Sequence, residues 1–161
     1  MTIGLVTDSP SDLPLDLVEQ HHIEVIPAIL IIEGRQYVDD VDITRAEFYR
    51  RLPAMQTNPT TAAPALGEFV ARYTKLLQSG CEHVLSIHTA GSLTSIVNFA
   101  RKAAEEFDGR VTVLDSGQLT LGIGYQVLAA AEAIARSLPL EQVLAAVQWT
   151  QNAEAGAQAG I

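Results

Sequence analysis

The chain has 161 residues, 48% of them hydrophobic and 18% charged, with ten Lys and Arg against 19 Asp and Glu. That composition excludes a disordered polar chain, and the length predicts one domain with a substantial core. A net charge of -9, with no Lys or Arg before Arg35, leaves no basic stripe for nucleic acid or an anionic membrane surface. One cysteine, Cys81, leaves no internal disulfide. Met1 to Leu5 carries no basic leader, and the longest apolar run, Val25 to Ile32, is far short of the ~20 residues of a membrane span. A cytoplasmic domain without a membrane span is expected.

In chain order, Ile3 to Val6 is a short β-branched run that breaks at Thr7-Asp8-Ser9-Pro10-Ser11-Asp12, where short polar side chains cap a helix with Pro14 in its first turn. Val25 to Ile32 is a second β-rich stretch, and Pro27 inside it predicts an edge or a bend. Gly34 permits a turn before Gln36-Tyr37-Val38. Thr44-Arg45-Ala46-Glu47 is a capping box for a helix that buries Phe48 and Leu52 and stops at Pro53. A Thr-, Asn- and Pro-rich loop is expected from Ala54 to Ala63. Leu66, Phe69, Val70, Tyr73 and Leu77 then recur at helical spacing up to Gly80.

His83 to His88 reads as a strand. Beyond Gly91, an amphipathic helix is predicted on Leu93, Ile96, Val97, Ala100, Ala104 and Phe107. Val111 to Leu114 is a strand, Leu119 to Ala135 a long Ala-rich helix, and Ser137 and Pro139 open a last helix bearing Val143, Leu144 and Val147. The expected domain covers residues 1–150, and residues 151–161 form a weakly patterned tail prone to fraying. Alternating strands and helices predict a three-layer α/β/α fold on a mostly parallel sheet. Ligands of such folds sit beyond the carboxyl ends of the strands, which directs attention to Thr7–Ser11, His88–Ser92 and Asp115–Gly117.

The chemistry available there is limited. Asp8-Ser9 and Asp115-Ser116 follow strands and read first as caps and turns, second as the border of a ligand mouth. Ser86, Ser9, His88 and Asp115 lack the Gly-x-Ser-x-Gly elbow of a hydrolase nucleophile. His83 and His88, five apart on a strand, face opposite sides, and no Cys/His spacing supports a metal. Gly91-Ser92-Leu93-Thr94-Ser95 is not a phosphate loop, though free amides of a helix starting there could take an anion.

Thr7-Asp8-Ser9-Pro10-Ser11-Asp12-Leu13-Pro14 resembles TDSTSDLP, the opening signature of the DegV family of bacterial fatty-acid-binding proteins. Gly34 to Asp39 with Asp42-Ile43 and Phe48-Tyr49, Thr61-Ala62-Ala63-Pro64-Ala65 (TSQPS in the family), Ser86-Ile87-His88 with Leu93, and Val113 to Ser116 with Gly122 and Gly124 follow in the family's order. The resemblance implies a DegV-like N-terminal domain, here without the family's C-terminal domain. It implies a non-catalytic carrier, without a cofactor, that binds a long-chain fatty acid and presents its carboxylate to a fatty acid kinase. The threonine of TSQPS carries over to Thr61 as a carboxylate contact. The family's SS pair is Ala90-Gly91 here, so the Gly91 amide or Ser92 would substitute, with Ser9, His88 and Ser116 at the pocket mouth.

A tunnel for an acyl chain needs mainly apolar walls, since each buried methylene contributes about 0.8 kcal/mol, and its carboxylate needs a few placed donors. Thr61 has a second reading as the N-cap of the Leu66–Leu77 helix. An open apolar groove would be covered by lipid or by self-association into a homo-oligomer. Two other classes compete. One is a small phosphotransfer or sugar-phosphate enzyme, which lacks a phosphate loop beside Asp8, Asp39, Asp40 and Asp42. The other is an interaction domain that docks a basic partner on that acidic face.

Overall fold

The computed structural model describes residues 1–159. Four parallel strands form the central sheet: β1 (Ile3–Asp8), β2 (Glu24–Ile26), β6 (His83–His88) and β7 (Val111–Asp115), in the order β2-β1-β6-β7. The alternation of each strand sends its residues to two different cores. Ile3, Leu5, Leu85 and Ile87 pack towards α5 (Leu121–Ala135) and α6 (Leu140–Ala159). Val6 and Val84 pack towards α3 (Leu66–Gln78) and α4 (Ile96–Ala104) through Phe69, Tyr73, Ile96 and Ala100. The three-layer α/β/α expectation is borne out.

The Val25–Ile32 run is two strands of two sheets. β2 is an edge of the parallel sheet, and after Pro27 the chain turns into β3 (Ile29–Ile32). β3 is the centre of a small antiparallel sheet between β4 (Arg35–Val38) and β5 (Thr60–Ala62). Short α1 (Leu15–Gln20) and α2 (Arg45–Arg51) complete the order. β5 corrects the loop expected from Ala54 to Ala63. Three residues carry no readable period, and the pairing of Leu30 with Thr61 is non-local.

Other local expectations shift by a turn or less. At α2 only half of the capping box forms. Thr44 Oγ1 accepts from the Glu47 amide at 3.2 Å, while the Glu47 carboxylate turns to Arg50 and Arg51. α3 is capped by Ala65, so Thr61 is not its N-cap. α4 starts at Ile96, and Leu93 is left 64% exposed rather than joining its apolar face. The predicted fraying of the last ten residues meets a helix that continues to Ala159, with residues 160–161 outside the described part. Among the described residues no helix is long and apolar enough to cross a membrane.

Gly4 lies where β1 passes under α3. A Cβ added there would stand 3.0 Å from a Leu76 methyl and 3.1 Å from Cys81 Sγ. Gly4→Val therefore overpacks the α3 layer. Urea denaturation is expected to show a loss of about 1–3 kcal/mol, and an unchanged midpoint would refute that packing.

Candidate functional site

Adjacent parallel strands β1, β6 and β7 end together, and the carboxylates at the two outer ends hold the loop that leaves the middle one. Asp8, the last residue of β1, is fully buried. Its Oδ2 accepts from the Thr89 amide at 3.0 Å and meets His88 Nδ1 at 3.2 Å, while its Oδ1 accepts from Thr89 Oγ1 at 2.9 Å. Asp115, the last residue of β7, accepts from the Gly91 amide at 3.2 Å and 3.1 Å and from the Gly117 amide at 3.0 Å. Residues 89–91 are thereby pinned from both sides.

Below that loop runs a buried polar chain. His88 Nε2 is 2.6 Å from Ser86 Oγ, which is 2.9 Å from the Tyr73 hydroxyl. With the Nδ1 proton on His88, Tyr73 donates to Ser86, Ser86 to His88, and His88 to Asp8, so every polar atom is satisfied. The connectivity matches a Ser-His-Asp triad that uses Ser86 and His88 of the four residues considered from sequence, with Asp8 in the place of Asp115 and without Ser9. Asp8, Tyr73, Ser86 and His88 are all 0% exposed, and Phe69 closes edge-on against the His88 ring. No substrate reaches a nucleophile there. His83 faces the other side of the sheet, as its five-residue separation from His88 predicts, and bonds Thr112 Oγ1 at 2.9 Å. Burial pushes the His83 pKa down.

The other expected site residues lie on β5 and in the turns and loops after β1, β6 and β7. Ser9 is buried under the mouth, donating to Asp39 Oδ2 at 2.6 Å and accepting from the Ala28 amide at 3.0 Å. This ties the end of β1 to the start of β3. Ser116 is buried, with its carbonyl taken by Gln126 and Gln151 at 3.1 Å and 2.9 Å. Thr61 is exposed on β5 opposite Leu30, and Ser92 is exposed in the loop after Gly91. Because α4 begins at Ile96, the Gly91 amide is no helix-terminal donor, which corrects the anion site expected there. Its N–H is also directed at Asp115.

Two apolar features stand at the strand ends, and the first includes Ser9 and Ser11 of the turn to which the sequence directed attention. A cleft of about 620 Å³ opens at the carboxyl ends of β1 and β2, walled by Leu13, Leu15, Val18, Val25, Pro27 and Val41, with Arg45 and Arg72 at its polar side. Arg45 is paired with Asp12 at 2.5 Å and Asp40 at 3.7 Å, and Arg72 with Glu24 at 3.6 Å. Second, Leu93, Leu119, Leu121 and Tyr125 are exposed around the joined 90s and 118 loops, which meet through Ala90 N and Gln118 O at 3.0 Å. Leu121 and Tyr125 stand on the exposed face of the first turns of α5, while Leu93 and Leu119, which read from sequence as parts of helices, lie in the loops before α4 and α5. Thr120, in the same loop, is held at φ 56°, ψ -134°, a strained backbone for a β-branched residue. Among the described residues no His, Cys, Asp and Glu are grouped as a metal site.

The fold and site define a three-layer α/β domain with an apolar cleft and pinned loops at its strand ends. The chain belongs to the DegV family: the model of that family, described as an uncharacterised protein family, matches residues 2–156. A DegV domain-containing protein of Staphylococcus aureus strain COL is 38% identical over 140 residues, which are 87% of this chain and 50% of the relative. A shorter 15.5 kDa DegV domain-containing protein of the same species is 37% identical over 123 residues, 76% of this chain and 86% of the relative.

Among solved structures, a DegV family protein of Thermus thermophilus, described for its fatty acid binding, superimposes with a TM-score of 0.88 at 39% identity. It covers 94% of this chain and 54% of that one. DegV of Bacillus subtilis, described as a fatty acid binding protein, gives 0.85 at 28% identity over 94% and 54% of the two chains. This chain spans about half the length of most of these proteins.

Two outcomes follow from the buried chain. Asp8→Asn presents an NH2 where a donor now points, and is expected to cost about 1.5–3 kcal/mol in urea denaturation and to accelerate exchange of the Thr89 amide. An Asn variant as stable as the parent would remove Asp8 as the pin. Burial pushes the Tyr73 hydroxyl from its ordinary 10.0 up to about 12. The folded state then keeps a proton that the unfolded chain loses, so this contribution is complete below about pH 10 and fades towards pH 12. Tyr73→Phe should flatten the alkaline loss of stability across that window, and an unaltered alkaline limb would contradict it.

Proposed function

We propose that the chain forms the fatty-acid-binding half of a DegV-type carrier. The observation that carries this reading is the apolar cleft and the ring of exposed Leu and Tyr residues at the strand ends, on a fold whose relatives are described as fatty acid binding. The acyl chain lies against the apolar strand-end surface, whose burial drives association without a basic protein. The carboxylate is held by the Thr61 and Ser92 hydroxyls, both exposed and neither hydrogen-bonded among the described residues. The Gly91 amide joins them only when Asp115 yields it. Ser9 and Ser116 act behind the mouth by fixing the strand-end turns, and His88 by supporting Asp8.

On this reading the protein has no catalysis of its own and works in the cytoplasm. It presents the carboxylate to a fatty acid kinase that supplies the phosphoryl-transfer machinery. The exposed apolar ring is covered by lipid, by the second half that longer relatives possess, or by a second copy of this chain. A small phosphotransfer enzyme is disfavoured, because Asp39 is engaged by Ser9 and Asp40 by Arg45.

Extraction and native mass spectrometry of the purified chain are expected to recover a long-chain fatty acid. Adding oleate at about 100 times its Kd should stabilise the protein by about 2.7 kcal/mol in thermal unfolding. Thr61→Val and Ser92→Ala should each weaken oleate by roughly 2–10-fold, the worth of one neutral hydrogen bond. A lipid-free protein indifferent to oleate and palmitate would refute the carrier reading.

A further inference from the structure

We propose that Asp115 sets the charge preference of this ligand loop: as an internal carboxylate it holds the Gly91 and Gly117 amides and disfavours an ionised headgroup. The inference rests on the fatty-ligand reading above and deepens it. Gly91 N lies 3.2 Å and 3.1 Å from the two Asp115 oxygens, and Gly117 N lies 3.0 Å from Oδ1. These backbone donors are the kind that capture an anionic headgroup, and here an anion from the chain itself already sits on them. The hydrogen bonds to Asp115 come from amides alone, and among the described residues no cation is paired with it.

The absence of a side chain at Gly91 makes this possible. A Cβ built there would stand 2.8 Å from Asp115 Oδ2 and 3.0 Å from a Val97 methyl, so any larger residue displaces the carboxylate. The backbone position is also fixed independently. Ala90 N is held by Gln118 O at 3.0 Å, and Thr89 by Asp8. Asp115 therefore stays on the Gly91 amide, one residue before the exposed hydroxyl of Ser92. A ligand carboxylate arriving at Ser92 meets a like charge that already holds the neighbouring amide, and the two repel. A neutral headgroup, such as the hydroxyl of a fatty alcohol, meets no such opposition and can donate a hydrogen bond to Asp115.

Binding of oleate and of oleyl alcohol to the 161-residue chain and to two variants separates the possibilities. Asp115→Asn keeps the shape and an acceptor but removes the charge. Gly91→Ala pushes the carboxylate off the loop by bulk, and serves where the Asn variant folds poorly by thermal unfolding. Relative to the parent, oleate affinity should rise roughly tenfold or more in each, from removal of one close like charge, with oleyl alcohol unchanged or weakened. An oleate affinity that stays constant or falls in both variants would overturn the inference while leaving the carrier reading intact. Equal gains for both ligands would overturn it too, by pointing to pocket shape instead of charge. Failure of parent and variants alike to bind either ligand would remove the carrier reading and this inference together.

Discussion

The end of β1 depends on a single buried carboxylate. Asp8 is completely shielded from water, and a shielded charge is tolerated only when its oxygens are filled by donors. Its three partners come from residues 88 and 89, on the neighbouring strand and the first step of its loop. The bonds thus act across the strand pair at the point where regular ladder pairing stops, since the β1–β6 register ends at Thr7–Ile87. Beyond that register, backbone hydrogen bonding would leave the two chains to diverge. The Asp8 carboxylate extends the join by a residue and determines where the loop to α4 begins.

The rest of the polar interior follows from this requirement. His88 needs a partner for Nε2, Ser86 supplies it two residues back on the same face of β6, and Tyr73 satisfies Ser86 from α3. A His-Ser pair two apart on one strand is a side-chain ladder, and its members are locked by packing against Phe69. Catalytic serines are presented at sharp turns where substrate can approach. The same atoms that make a hydrolase when exposed make a structural relay when enclosed, so burial, more than connectivity, decides what this chain of side chains does.

Much of the frame was legible in the residue pattern because the parallel sheet and its covering helices are periodic. Leu85 and Ile87 against Val84 and Ser86, and Phe69 with Tyr73, declare their faces through spacing alone. What stayed hidden was non-periodic or non-local. β5 is three residues long and acquires its meaning from pairing with β3, some thirty residues earlier. The cleft is assembled from α1, β2 and the loop before α2, and no local window contains it. Asp8 and Asp115 were visible as strand-end acids; the turn reading holds for Asp115, which takes the Gly117 amide, whereas the Asp8 carboxylate caps no helix and is spent on His88 and Thr89. Their specific service to the loop after β6 required the strand order. The family resemblance compensated for part of this gap by placing Thr61 in a block whose local sequence reads only as loop or cap.

The last helix extends the same logic to the far edge of the sheet. β7 is an edge strand, and the turn after it, which carries Asp115, would be loosely held by β6 alone. Gln126 of α5 and Gln151 of α6 both donate to the Ser116 carbonyl, and Gln126 also donates to Glu154 at 2.9 Å. Polar residues late in α6 therefore have a defined task, although their weak hydrophobic patterning made that segment read as a tail. They convert the docking of a helix into the position of a carbonyl, and through the Ser116 backbone into the position of the Asp115 carboxylate. The Asp115 carboxylate is thus fixed on one side by the amides it binds and on the other by a helix pair some 10 to 35 residues further along the chain. A surface made of exposed loops can hold its geometry in this protein because each loop is tied at its base to an element that packs in the core.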